Sequence, residues 1–209
     1  MHLAQLEGGA REDMQKKAHA LLVYDLEAAV RLESWSDLDQ IVGDLLKSET
    51  LPALRMVMDI ILCSEAPKPL IVSILNDIVL SLLHNSQSPD LTDTAQRVRC
   101  VLRLTLPYNQ NHSAISQLLD RVLTITNTKD KSGYPDDELE WLATTIFNKA
   151  VDKYCVEHGG NDWKEWAERA IALAGAIGSA EMDAEINMSR GRALQRVMRE
   201  KMAGLSWTH

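Results

Sequence analysis

Residues 134–175, YPDDELEWLATTIFNKAVDKYCVEHGGNDWKEWAERAIALAG, write out two helices separated by a glycine turn. Pro135 suits the first position of a helix, where its missing N–H leaves no bond unmade. Asp136, Asp137, Glu138 and Glu140 follow in the first turns, where carboxylates face the positive end of the helix dipole. At about 100° per residue, Leu139, Leu142, Ala143, Ile146, Ala150 and Tyr154 fall on one broad face with Phe147 at its edge, which predicts a buried stripe. The opposite face carries Trp141, Thr145, Asn148 and Asp152, so an indole stands in line with an amide and a carboxylate. An indole on a polar face calls for cover. A neighbouring helix of the same molecule supplies it in stacked helical arrays, and a partner supplies it at interfaces, where Trp and Tyr dominate the hot spots. Asn148 raises the same two alternatives. Its amide competes for backbone hydrogen bonds and makes it poorer than Ala inside a helix by about half a kcal/mol. Either a loop carbonyl of this chain or a partner's peptide group would compensate.

After His158-Gly159-Gly160, Asn161 or Asp162 can cap a second helix carrying Trp163, Trp166, Ala167, Ala170, Ile171 and Ala174. The small residues permit close helix approach. Ala167, Ile171 and Ala174 match the Ala-apolar-Ala spacing of the second half of a tetratricopeptide repeat, and Ala143, Phe147 and Ala150 repeat it one helix earlier.

The rest of the chain has the same character. From Met14 to Leu32, Ala18, Leu21, Leu22, Ala28 and Ala29 keep helical spacing until Ser34-Trp35-Ser36 interrupts it. Ser36 with Asp39 resembles a cap for the next helix, through Leu38, Ile41, Val42, Leu45 and Leu46. Further helices are expected from about Thr50 to Cys63, from Pro67 and Pro69 to Leu83, from Asp90 to Leu106, from Ser113 to Thr126, and from Ala180 to Met202. All six prolines then stand at helix boundaries, where they avoid the cost of about 3 kcal/mol that an interior proline carries. The expected fold is all-α: about nine helices in an antiparallel, degenerate tetratricopeptide-like solenoid, with residues 1–13 a flexible N-terminal segment and 14–204 a single helical repeat domain. The break at 127–134 is the best place for a hinge.

A chain of 209 residues with 45% hydrophobic content can bury a substantial core, and its single Phe, four Tyr and few Gly and Pro favour helices over sheets. A formal net charge of −8 argues against nonspecific nucleic-acid binding, which needs Lys and Arg to neutralise phosphates. Cys63, Cys100 and Cys155 lie far apart in apolar helical patterns, which suits a reducing compartment and gives no disulfide framework. The N-terminal residues lack the apolar core of a signal peptide, and Asn76 and Asp77 interrupt the run from Leu70 to Leu83, so a soluble intracellular protein without membrane contact is expected.

No catalytic set converges in the sequence. His2, His19, His84, His112, His158 and His209 show no metal-ligand pairing with Cys or Asp. Gly8-Gly9 and Gly159-Gly160 lack the strand and the Lys-Ser or Lys-Thr of a phosphate loop, and no G-x-S-x-G elbow occurs. No enzyme, cofactor, metal or small-molecule ligand is therefore expected. Arg190, Arg192, Arg196, Arg199 and Lys201 form one basic concentration, read either as cations suited to the last turns of a helix or as a patch for an acidic partner.

Three stretches, ALLVYDLEAAVRLESWSDLDQIV, RVRCVLRLTLPYN, and ELEWLATTIFNKAVDKYC followed by WAERAIALA, resemble the meiosis-specific tetratricopeptide scaffold family called Spo-twenty-two in fungi and Zip-four in yeast and plants. They occur in the same order as in fungal members and span most of the chain. Members are much longer, so the chain looks like a C-terminal segment of one. The resemblance implies a non-enzymatic scaffold, nuclear and on meiotic chromosomes, that promotes crossovers and synaptonemal complex assembly. Its implied partners are meiotic crossover factors and a synaptonemal complex central-element protein. The family's aromatic–asparagine pair would fall on Phe147 and Asn148, which makes Trp141, Phe147, Asn148 and Asp152 the expected partner-binding residues. The repeats here depart from the full tetratricopeptide consensus. The alternative is a purely structural C-terminal end of a longer helical-repeat protein.

Overall fold

The computed structural model describes residues 2–47, 51–85, 91–107, 112–127, 133–157, 162–178 and 184–206. Among them are nine α-helices and no strand. The chain divides into two compact units, Met1–Asn85 and Ser86–His209.

The first unit holds α1 (His2–Arg31), α2 (Trp35–Lys47), α3 (Leu51–Leu62) and α4 (Lys68–Asn85). Its core is aliphatic: Leu26, Leu38, Leu45, Leu54, Val57, Met58, Ile61, Leu75 and Ile78 are all removed from solvent. Each helix packs on the next and on the next but one, α1 on α2 and α3, α2 on α3 and α4, α3 on α4. Among the described residues α1 and α4 do not pack on one another.

Two expectations change here. Helix α1 begins at His2, so residues 2–13, expected to be a flexible segment, continue the helix that was placed from Met14. Once the turns that pack on the core have formed, each added residue costs little, because nucleation and not propagation is the unfavourable step. The second change concerns Ser36, which lies inside the first turn of α2 and caps nothing there. Instead α1 closes in a Schellman arrangement: Glu33 takes φ 56°, Ser34 N–H donates to Ala29 O at 2.9 Å, and Glu33 N–H donates to Val30 O at 3.2 Å. That left-handed residue reverses the chain so tightly that α2 starts at Trp35.

The second unit holds α5 (Thr92–Thr105), α6 (His112–Thr126), α7 (Asp136–Glu157), α8 (Asp162–Ala176) and α9 (Ala184–Ser206). Here α5 packs on α6 and α7, α6 also on α8, α7 on α8 and α9, and α8 on α9. The break at 127–134, expected as a hinge, lies within this unit, since the helices on either side of it both pack on α8; residues 128–132 are outside the described residues. Helix α7 buries Leu139, Leu142, Ala143, Ile146 and Ala150, and α8 answers with Trp163, Trp166, Ala167, Ala170, Leu173 and Ala174. The alanine-bearing spacings of both helices are thus buried, and the two helices pack on one another. Of the prolines within the described residues, Pro52 and Pro69 sit in first turns, Pro67 and Pro135 just before helices and Pro107 just after one. Pro89 is outside the described residues.

Helix α9 crosses α8 at close range through Gly191. A Cβ there would stand 2.7 Å from the Ala174 carbonyl oxygen and 3.1 Å from Ile177 Cβ. Gln195 secures the same crossing by donating its amide Nε2 to Ile171 O at 2.7 Å. Gly191→Ala raises helix propensity by about 1 kcal/mol. Because its new methyl meets a backbone oxygen and not a yielding side chain, the net effect expected is a loss of about 1–3 kcal/mol in the stability of the second unit. Urea unfolding followed by circular dichroism checks the sign.

Candidate functional site

The acids that open α7 do more than complement a dipole. Asp136 is 6% exposed and its Oδ1 accepts the backbone N–H of Gly178 at 2.9 Å, tying the start of α7 to the residue beyond the end of α8. Gly178 takes φ +83°, the left-handed region that suits glycine. Arg190 of α9 forms ion pairs with Asp137, at 3.5 Å, and with Glu140. Glu138 reaches the other way, to Arg99 of α5, with Arg99 Nε 2.9 Å from Glu138 Oε2. Those two atoms lie off the line of an N–H···O bond, so the attraction is ionic in character. Tyr134 just upstream is buried with its hydroxyl unpartnered, and burial first, then the Glu138 charge, pushes its ionisation well above the ordinary phenol range, with Arg99 opposing.

Arg99 also connects this cluster to Trp141. Its guanidinium carbon lies 4.6 Å from the centre of the Trp141 ring, and that of Arg103, one turn further along α5, lies at 5.5 Å. Trp141 is half-buried under the two side chains and keeps part of its surface in solvent. The cover comes from cations of the same unit, which an indole face attracts electrostatically. Arg99 has Glu138 for a counter-charge; among the described residues Arg103 meets no carboxylate. Asn148 and Asp152 are exposed on the same side of α7, with Thr145 half-buried between them and Trp141.

Phe147 falls elsewhere. At 4% exposure it belongs to the core and presents no surface to a partner, because its position at the edge of the apolar stripe is closed by the helices packed on α7. Of the four expected site residues, Trp141, Asn148 and Asp152 share the solvent side of α7, and Phe147 does not join them. Arg99 and Arg103 were not expected. Their spacing of four residues puts both on one helix face, but nothing in the chain order says that α5 lies against α7.

A second aromatic cluster is structural. Trp166, 2% exposed, donates its indole N–H to His112 Nε2, and the two rings lie 4.6 Å apart at 58°. Lys153 Nζ stands 3.2 Å from His112 Nδ1 and 5.5 Å from the Trp166 ring. Tyr154 meets Trp163 edge to face at 5.1 Å and donates its hydroxyl to Leu205 O at 2.7 Å, holding the end of α9 to α7. Arg169 of α8 grips Asp120 of α6 with two donors, at 2.8 and 3.3 Å, and this pairing raises its affinity for its proton.

Of the basic residues on α9, Arg190 is taken up by Asp137 and Glu140, while Arg192, Arg199 and Lys201 are exposed. Among the described residues no group of three or more His, Cys, Asp or Glu is placed to hold a metal ion, and no helix is long and apolar enough to cross a membrane. No protein family, curated protein or solved structure matches the chain.

The four acids are separable by experiment. Asp136→Ala strands the buried Gly178 N–H and is expected to cost about 1–3 kcal/mol. Asp137→Ala, whose side chain is 85% exposed, is expected to stay within about 0.5 kcal/mol of the parent in chemical unfolding. Tyr134 gives a pH signature. A phenol whose folded-state pKa is raised stabilises the fold fully below its unfolded value of about 10, and that contribution is lost as pH rises beyond it. Tyr134→Phe is expected to flatten the alkaline fall in stability above about pH 10. It also removes an unpartnered buried hydroxyl, for a gain of about 1 kcal/mol at neutral pH. Unfolding curves at neutral and alkaline pH measure both effects.

Proposed function

We propose that this chain is a non-enzymatic scaffold, a degenerate tetratricopeptide-like solenoid that docks a segment of a partner protein on the α5–α7 side of its second unit. What carries the reading is one arrangement: the half-exposed Trp141 ring lies beside the Arg103 guanidinium and on the same helix side as the exposed amide and carboxylate of Asn148 and Asp152. An aromatic surface with an adjacent unpaired cation and an amide suits a peptide. The ring takes an apolar or planar side chain, Arg103 takes a carboxylate, and Asn148 bonds the peptide backbone.

The pairing of helices supports the repeat architecture. In the first unit each helix packs on its successor and on the helix after that, the order expected of stacked helical hairpins, and the second unit follows it except that, among the described residues, α6 packs on α5 and α8 but not on α7; α1 with α4 does not close the first unit into a ring. The resemblance of residues 20–42, 97–109 and 138–155 to the meiotic scaffold family supports the biological setting: nuclear, on meiotic chromosomes, with crossover factors and a synaptonemal central-element protein as partners. One observation favours a second reading, in which Trp141 serves packing alone: both arginines already lie over its ring.

Retention of the central-element protein and of crossover factors from meiotic extracts separates the two. Asn148→Asp and Asn148→Gln are expected to leave helicity and unfolding midpoint unchanged, since the side chain is exposed, and to lower retention about tenfold, as hot-spot changes of more than 1 kcal/mol do. Retention equal to the parent in both variants overturns the docking role. A Trp141→Ala variant that loses stability but keeps the partner assigns the indole to packing.

A further inference from the structure

Helix α1 is 30 residues long, yet among its described side chains only Val23, Leu26 and Ala29 are buried. Between residues 10 and 21 the described side chains are all exposed except the half-covered His19. A helix uncovered on every side has only its intrinsic propensity to sustain it, and Gly8 and Gly9 weaken that. On the side away from the core stand Met14, Leu21, Tyr24 and Leu32, at 71, 63, 67 and 76% exposure. Met14, Leu21 and Leu32 stand in one line with Tyr24 beside it on the same side, which is more than a stray surface residue.

The line has a direction-free spacing. Positions 14, 18, 21, 25, 28 and 32 are separated by four, three, four, three and four residues, the seam spacing of a two-stranded coiled coil, and the series reads the same from either end. Laid antiparallel against an identical helix about a two-fold axis, Met14 meets Leu32 of the second copy, Ala18 meets Ala28, and Leu21 meets Asp25. The Ala18–Ala28 contacts let the two backbones approach closely. Asp25, the one charge in the seam, comes within a turn of Lys17 of the second copy, whose present ion pair with Asp13 at 2.7 Å is exposed and open to exchange. Met14–Leu32 and Ala18–Ala28 are therefore apolar pairs, and Asp25, opposite Leu21, takes its counter-charge from Lys17.

We propose that α1 pairs antiparallel with α1 of a second copy of this chain, burying the stripe from Met14 to Leu32 in an isologous interface. The seam is about 27 Å long, and two helices over that length bury on the order of 1,000 Å² in total, at the low edge of specific interfaces. The assembly is thus a concentration-dependent dimer and not an obligate one.

Sedimentation velocity of the whole chain between about 1 and 100 μM tests this, a range that brackets a micromolar dissociation constant. The mass is expected to rise from 23.4 kDa towards twice that value. Leu21→Glu, at a solvent-exposed position, is expected to stay monomeric throughout with unchanged helicity. Ile186→Glu, at an exposed apolar position of α9, is expected to dimerise as the parent does. A parent chain that remains at 23.4 kDa at every concentration overturns the proposal and leaves the stripe to a different partner. Register is read separately. With serine in place of Cys63 and Cys155, Ala18→Cys is expected to form a disulfide with Ala28→Cys when the two variants are mixed, and neither with itself. Self-linkage of either variant without mixed linkage overturns the antiparallel pairing.

Discussion

The close approach of α7 to α8 is the constraint on which the second unit depends. Ala143 and Ala150 on one helix and Ala167, Ala170 and Ala174 on the other are all buried, and small side chains of that kind let two packed helices approach closely. The same economy of volume recurs at Gly191, where α9 rests against the Ala174 carbonyl. With the hairpin drawn tight, the start of α7 and the end of α8 come together, and Asp136 can reach the Gly178 N–H across 42 residues of sequence. The opposite side of α7, bearing Trp141, is then turned towards α5. A larger residue in the seam would move Trp141 with its helix and shift it against the arginines of α5.

Electrostatics in this unit follow burial more than sign. The four carboxylates at the start of α7 share one favourable dipole, worth about 0.3–1 kcal/mol at an exposed helix end. Their individual partners separate them. The buried bond from Asp136 outweighs the dipole, since leaving such an N–H unpaired costs about 1–3 kcal/mol, whereas the solvated Asp137–Arg190 contact adds little. Arg99 stands between the two regimes. It balances Glu138 while its planar face lies over Trp141, a combination a lysine could not reproduce because its ammonium is a point charge. The indole is therefore held by charge as well as by apolar contact.

Packing each helix on a few neighbours leaves part of its surface unburied. The cost appears as apolar surface on the outer sides of helices, at Met14, Leu21, Tyr24 and Leu32 of α1 and at Ile186 and Val197 of α9.

Much of the fold was legible in the chain because helical periodicity and proline placement are local signals. The helices from α2 to α8 begin and end within a few residues of where apolar spacing, Pro52, Pro69, Pro107 and Pro135 put them. The buried stripe of α7 was equally legible, since Leu139, Leu142, Ala143, Ile146 and Ala150 recur with the turn of the helix. The start of α1 was not, because extending a helix needs no apolar pattern. Its end was legible, since Ser34-Trp35-Ser36 interrupts the spacing close to Arg31, but the left-handed Glu33 at φ 56° that makes the reversal carries no mark in the sequence. At the candidate site, sequence singled out Trp141, Asn148 and Asp152 through their position opposite the stripe. Which groups cover the indole, that Phe147 is closed into the core, and which acid owns which partner depended on helices far apart in sequence coming into register. Periodicity along one helix determines what that helix turns inward; only packing between helices decides what meets the side it turns outward.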